Sequence, residues 1–382
     1  MQIFIPKSAA FVVDTLVKAG FEAYIVGGCV RDSLLGLVPD DFDVCTSAKP
    51  EKTVALFEKT VNTGIKHGTV TVISYGVPVE VTTFRLESGY NDFRRPQSVE
   101  FVSNLKDDLS RRDFTINAMC YSDKTGIIDY FGGLDDLKNG IIRTVGDPDL
   151  RFCEDALRIL RLFRFCSTTG FKAEDKTLKS AIKNAHLLKN ISAERIAKEL
   201  KRTASGKNPS AVLPLLEKGI FKTLNPEKRI EKIKNLPKSE SLRFFAFLQI
   251  TSSDLTKTLK LLKCSNAFSE YALKLNCALN MSVKSRTDVK QILNLLENDI
   301  FDLFYYKNAI MGEDTKEQKA IAEEILNGGE PYKISQLAVN GFDIKKSGYK
   351  GNQIGDTLKK LLNAVIENPE LNTKEQLEKL FK

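Results

Sequence analysis

Histidine is nearly missing from this chain: its 382 residues hold only His67 and His186. That scarcity leaves little room for a zinc site or a histidine-dependent catalytic triad. Seven cysteines, at positions 29, 45, 120, 153, 166, 264 and 277, are odd in number and scattered, with no Cys-x-x-Cys pair. They read as small apolar residues of a reducing compartment, not as a disulfide framework. No apolar run approaches the roughly 18–20 residues that a membrane span needs. The opening Met-Gln-Ile-Phe-Ile-Pro-Lys lacks the form of a signal peptide, so the cytoplasm is the expected location. Repeats and low-complexity tracts are absent too.

Charge is abundant but unevenly spread. Residues 1–150 contain 16 Lys and Arg against 21 Asp and Glu, and the remainder holds 41 against 28. An acidic first part of net −5 thus precedes a basic part of net +13. An acidic metal-binding head on a basic nucleic-acid-holding body has this asymmetry, and so do lysine-rich helices that are merely solvated. At 382 residues with 42% hydrophobic content, the chain divides into two or more domains with sizeable cores.

The stretch from Gly27 to Asp43, GGCVRDSLLGLVPDDFD, organises the rest. Tyr24-Ile25-Val26 leads into it, so the glycines fall where a buried strand turns into a short helix. Glycine there lets backbone N–H groups approach an anion, and Arg31 adds a fixed positive charge one turn later. Asp41 and Asp43 lie two residues apart, which on a strand puts both carboxylates on one face. Paired carboxylates beside a phosphate-binding turn suit Mg²⁺, a hard ion that shares its coordination with substrate phosphates. The combination points to nucleotidyl transfer by two metals. A Walker loop is excluded, because no Lys-Ser/Thr follows the required glycine frame.

Around this stretch the pattern predicts a helix over 7–20, a capped helix through Phe57, and a hairpin of 69–75 and 77–84 turning at Gly76. Glu80 lies inside the second, otherwise apolar strand; it is a candidate third carboxylate, or an outward-facing strand residue. Residues 86–100 read as a long unpatterned loop. Arg111 and Arg112 are candidate phosphate ligands, since guanidinium forks match phosphate oxygens. Strands are expected at 127–131 and 141–145, giving a mixed sheet with helices on one side. Beyond Asp149 the pattern is helical, beginning with a helix over 152–166. Asp155 and Arg158 stand at i, i+3 on it, where an isolated pair is simply an intrahelical ion pair.

Three runs carry a family resemblance: Gly-Gly-x-Val-Arg-Asp-x-Leu-Leu-Gly followed by Asp-x-Asp, Arg-Arg-Asp-Phe-Thr-Ile-Asn-Ala at 111–118, and Glu-Asp-x-x-Arg-x-x-Arg from Glu154. Together they resemble the DNA polymerase β-like nucleotidyltransferases, and within them the class of bacterial tRNA nucleotidyltransferases and poly(A) polymerases. Neither histidine is followed by Asp, so no His-Asp phosphohydrolase domain is appended. The resemblance implies an α+β fold, with a small nucleotidyltransferase head at 1–146 followed by an all-α neck at 147–208, body at 209–328 and tail at 329–382. It implies Asp41 and Asp43 as catalytic carboxylates holding Mg²⁺, and Glu80, from its place in the apolar strand, joins them as the third. Gly28, Arg31 and Arg112 would grip the triphosphate, with Arg161 and Arg164 nearby, and Asp155 and Arg158 would read the incoming base. Ser192 through Leu200 resembles a further family motif, and the Tyr-x-Asp-x-Arg-Arg-Pro core of the 86–100 segment resembles a family loop. The activity implied is template-independent addition of the 3′-terminal CCA to tRNA from CTP and ATP, without a membrane. Addition of A alone, or poly(A) synthesis, is the alternative, and the oligomeric state is left open.

Overall fold

Ala9, Val12 and Leu16 recur at helical spacing, and all three are fully buried in helix α1 (Lys7–Lys18). The computed structural model, which describes residues 3–90 and 96–381, continues from α1 into a mixed sheet. In chain order come β1 (Ala23–Val26), α2 (Gly28–Leu34), β2 (Asp43–Thr46), α3 (Pro50–Leu56), β3 (Thr60–Gly64), β4 (Thr69–Ser74) and β5 (Val77–Thr83). There follow β6 (Arg85–Tyr90), β7 (Pro96–Phe101), α4 (Leu105–Ser110), β8 (Met119–Ser122), β9 (Gly126–Asp129), α5 (Gly133–Asn139) and β10 (Ile141–Ile142). Next are α6 (Pro148–Glu154), α7 (Leu157–Thr169), β11 (Lys172–Ala173), α8 (Asp175–Lys183) and α9 (Ala193–Ala204).

The main sheet runs β3-β4-β5-β2-β1-β8-β9, antiparallel except for the parallel pair β2–β5. Its register decides what faces what. Val26 pairs with Asp43 and with Cys120, and Cys45 pairs with Thr82. Alternation therefore puts Val26, Cys45, Cys120, Asp43 and Glu80 on one face. On that face α4 packs Leu105 and Leu109 against Val26, Cys45, Phe84 and Cys120. Ile25, Val44 and Val81 turn to the other side, and Ile25 lines a cavity together with Val13 and Val17 of α1. Helices thus cover both faces, not one as the sequence pattern suggested.

Other expectations shift in instructive ways. The β4–β5 hairpin turns where expected, at Tyr75 and Gly76, both with positive φ. Lys49 occupies the N-cap position of α3 without a side-chain capping bond, with Pro50 behind it, while Thr46 ends β2 and donates to the Glu22 carbonyl. Strands β3 and β8 were not anticipated, and β10 is only two residues long, pairing in parallel with β11 outside the main sheet. The 86–100 segment is not simply a loop, since β6 and β7 pair from Arg85↔Phe101 to Tyr90↔Pro96. The rest of its aromatic-and-arginine core, 91–95, lies outside the described residues. The single helix expected over 152–166 is two helices, broken at Asp155, whose backbone is extended.

Two units partition the chain, Met1–Pro226 and Glu227–Lys382. The second is helical, and Phe244, Phe245 and Phe247 are buried in its core. A separate cluster of Val339, Ile344, Leu361, Val365, Leu377 and Phe381 closes its C-terminal part. Among the described residues no helix is long and apolar enough to cross a membrane.

In the first unit Gly133, at the start of α5, has a geometric reason to be glycine. Asp129 accepts the N–H groups of Phe131, Gly133 and Leu134, fixing the start of α5. A Cβ on Gly133 would lie 2.3 Å from the Thr115 carbonyl oxygen, a backbone atom that cannot swing away. Gly133→Ala is expected to lower unfolding free energy by about 1–3 kcal/mol through this forced shift. Urea denaturation with an unchanged midpoint would refute the close approach.

Candidate active site

Gly27 stands at the end of β1 with φ 86° and ψ −128°, a conformation that glycine adopts without steric cost. Its missing side chain also makes room, since a Cβ there would sit 2.9 Å from Arg112 Nη1. Gly28 opens α2, and one turn on Arg31 donates through Nε and Nη2 to Asp32 at 2.8 Å and through Nη1 to Asn117. The glycine turn therefore seats two guanidinium groups against one end of β1.

Asp43 begins β2 and is half-buried, whereas Asp41 precedes the strand and is exposed. The two are not on one strand face as their spacing suggested. Glu80, exposed on β5, lies one position before the Val44↔Val81 pair, as Asp43 does on β2. Burial first, then the charges of Asp41 and Glu80, push the Asp43 carboxyl up to about 6, with Arg112 opposing them. The three carboxylates are thus electrostatic neighbours. Among the described residues, however, no three His, Cys, Asp or Glu side chains converge into a cage for an ion. Two carboxylates and a third nearby fit a divalent cation that completes its shell with water and phosphate oxygens. The crowding fits as well, because a cation would relieve the repulsion that raises Asp43.

Arg111 and Arg112 differ in employment. Arg111 forks onto Asp108, with Nε at 3.0 Å and Nη2 at 2.8 Å, and Asp108 is fully buried. Arg112 reaches Asp108 only at 3.6 Å, its Nε is buried without a hydrogen-bond partner, and its charge acts on Asp43. Burial works against its charge, but Asp108 and then Cys45 and Asp43 hold its pKa above the ordinary arginine value. Arg112 is the one of the two with capacity left for a phosphate.

The neighbouring Asp113 accepts from Arg161 Nε at 2.7 Å, from Asn117 at 3.0 Å and from the Phe114 N–H at 2.8 Å. Burial alone would raise its pKa; Arg161 and the Asn117 bond outweigh that and hold it well below the usual carboxylate range. Three residues on, Arg164 pairs with Glu199 of α9 at 2.6 Å. Burial, and then the proximity of Arg161, lower the Arg164 pKa to about 10.

Asp155 and Arg158 do not form the intrahelical pair their spacing suggested. Arg158 donates through Nη1 to Glu154 and to the Arg151 carbonyl, and through Nη2 to the Arg111 carbonyl at 2.8 Å. Asp155, in the break between α6 and α7, accepts the Leu157 N–H at 3.1 Å and Arg195 Nη2 at 3.2 Å. Each is held by its own partners, with Arg158 Nε–H and one Nη2–H outside these bonds.

The chain matches the poly A polymerase head domain over residues 23–143. Residues 170–229 match the probable RNA and SrmB-binding site of polymerase A. It is 38% identical to a CCA-adding enzyme of Ligilactobacillus salivarius, with 97% of this chain and 95% of that one covered. The chain belongs to the CCA-adding enzyme family. The crystal structure of the Bacillus stearothermophilus CCA-adding enzyme in complex with CTP superposes with a TM-score of 0.86 at 30% identity, covering 99% and 98% of the two chains. The Thermotoga maritima CCA-adding enzyme complexed with tRNA-CCA shares the fold, with a TM-score of 0.64 at 21% identity and coverage of 100% and 99%. Nucleotidyltransferases of this kind use divalent metals.

Within this CCA-adding enzyme fold, several site residues escaped sequence reasoning. Asp108 hides in a Lys-Asp-Asp run that reads as solvated surface, and neither the motif opening at Glu154 nor the 192–200 run signals that Glu154 holds Arg158 and Arg195 holds Asp155. Phe165 gives no signal at all among the apolar residues of α7.

The state of Asp43 is testable. Because its folded pKa is raised, the protonated form is favoured by folding, and stability is lost as pH rises through about 6. A rise from 3.8 to about 6 costs up to about 3 kcal/mol at pH 8, less whatever solvent screening removes. Metal-free Asp43→Asn should therefore melt higher than wild type at pH 8, with the difference fading by about pH 4. Added divalent cation should raise the wild-type melting temperature more than that of the variant. Equal melting of the two proteins at pH 8 would refute the crowding.

Proposed function

We propose that Asp41 and Asp43 hold Mg²⁺, with Glu80 assisting the metal site or deprotonation of the primer, in a cytoplasmic enzyme. The reaction is template-independent addition or repair of the 3′-terminal CCA of tRNA, using CTP and ATP and releasing pyrophosphate. The observation that carries the site assignment is geometric: Asp43 and Glu80 share one face of the sheet beside the glycine turn, where Gly27 leaves room for the Arg112 guanidinium. Burial, and then the charges of Asp41 and Glu80, raise Asp43. When bound, the metal ions supply activation of the primer 3′-hydroxyl and neutralise charge on the departing pyrophosphate.

The remaining steps fall to side chains. Gly28, Arg31 and Arg112 receive the triphosphate at the turn, where Gly27 gives Arg112 its room, and Arg161 and Arg164 border the same place from α7. Asp155 and Arg158 select the base. Cytosine and adenine each present an exocyclic amine donor next to a ring-nitrogen acceptor. A carboxylate that accepts and a guanidinium that donates complement that edge, while uracil and guanine reverse it. Asp155 held in the α6–α7 break and Arg158 with N–H groups in reserve are compatible with that role. The division into head at 1–146, neck at 147–208, body at 209–328 and tail at 329–382 belongs to the same proposal, as does the use of the basic region after residue 150 for tRNA phosphates.

Purified protein offered tRNAs ending at the discriminator base, at C and at CC, with each nucleotide singly and all together, reads the reaction directly. The expected product is one CCA end on all three substrates and then arrest. Extension only of the CC-ended tRNA would make it an A-adding enzyme, and unbounded A tails a poly(A) polymerase.

A further inference from the structure

Phe165, on α7, is 4% exposed and packs edge-to-face on Phe114 with ring centroids 5.6 Å apart. By that description it is a core residue. What surrounds it is not core: the guanidinium carbons of Arg164, Arg31 and Arg161 lie 3.8, 5.0 and 5.4 Å from its ring centroid. Among the described residues there are six cation–ring contacts, and three of them fall on this one ring. The arginines come from two helices, Arg31 from α2 and Arg161 and Arg164 from α7.

Three like charges around one side chain repel each other unless something between them is negative. Each arginine has a carboxylate of its own, Asp32 for Arg31, Asp113 for Arg161 and Glu199 for Arg164. Each acid makes one of these ion pairs, and the charges of Asp113 and Glu199 also act on both Arg161 and Arg164. The ring is the shared group, and its quadrupole turns a negative face towards cations. A triphosphate entering the cluster competes with the carboxylates for the guanidinium N–H groups. It does not compete for ring faces, so that contact persists while the arginines change partners.

We propose that Phe165 is a positioning residue for the nucleotide: its ring gathers Arg31, Arg161 and Arg164 so that they meet the triphosphate as a group. This rests on the reading that these arginines take the triphosphate, and it adds to that reading what holds them in place. The proposal requires the electrostatics of the ring and not merely its volume, which is what separates it from simple packing.

Replacing Phe165 by mono-, di- and trifluorophenylalanine keeps the shape nearly constant while draining the ring face of negative charge in steps. The expected result is a stepwise rise in KM for both CTP and ATP, three- to tenfold across the series. The KM for tRNA and the melting temperature should stay within error. Arg161→Lys and Arg164→Lys in the natural background accompany the series. Should these raise the nucleotide KM while the fluorinated series stays flat, Phe165 is packing alone and the proposal falls. If the arginine variants leave nucleotide KM unchanged, the triphosphate reading fails and the proposal with it.

Discussion

Asp113 sits where the arginine-rich motif after α4 meets α7, and its carboxylate accepts from Arg161, from Asn117 and from the Phe114 backbone. Asn117 in turn accepts from Arg31 at the glycine turn. One hydrogen-bonded path therefore runs from α2 through 113–117 to α7, and it joins every element that carries a candidate phosphate ligand. A buried charge pair of this kind contributes little net stability over a well-packed apolar substitute, but removing one partner strands the other. Its value here is placement. With Asp113 ionised and paired, the turn and the helix have one mutual arrangement.

A second carboxylate, Asp108, plays the matching part on the sheet side. It is fully buried beneath Arg111 and Arg112, and it also accepts the Arg85 N–H. Arg111 bonds the Asp108 Oδ1 at short range, while Oδ2 has no hydrogen bond and faces Arg112 at 3.6 Å, so Arg112 answers first to Asp108 and then also to Asp43. Two adjacent arginines thus divide the work: one neutralises a buried acid, and the other supplies charge to the site. Opposite them Asp43, Asp41 and Glu80 form a crowded negative group. The site is polarised, acidic where the proposed metal would bind and basic where the proposed triphosphate would lie, and each half is held by a buried ion of opposite sign.

Much of this was legible in the sequence where the chemistry is local. Gly27, Arg31, Asp41 and Asp43 fall within 17 residues, and together they suggested the phosphate turn and metal pair that are proposed for this site. The β4–β5 hairpin announced itself through two β-branched runs around Tyr75-Gly76. What failed depended on register or on partners far along the chain. The break at Asp155 was hidden because apolar residues at Phe152, Ala156, Leu157 and Leu160 continue at helical spacing across it. Arg158 was matched with Asp155 by proximity, yet Glu154 and two backbone carbonyls hold it. Nor does any local pattern separate Arg111 from Arg112, or mark Phe165 as different from Phe163. Those distinctions exist only once α2, α4 and α7 are brought together.

Asp113→Asn keeps the shape and an acceptor while deleting the charge on which this arrangement depends. Because the native carboxyl lies well below the usual range, its stabilisation is present at neutral pH and is lost as pH falls through the folded pKa. Calorimetric titration of the variant with CTP at pH 7, paired with denaturation from pH 7 down to pH 3, tests the claim most directly. The account predicts a loss of about 3–5 kcal/mol at pH 7 that holds down to about pH 4 and only begins to shrink by pH 3, together with CTP affinity at least tenfold weaker in the folded protein. A variant that loses stability but binds CTP as wild type does would contradict it.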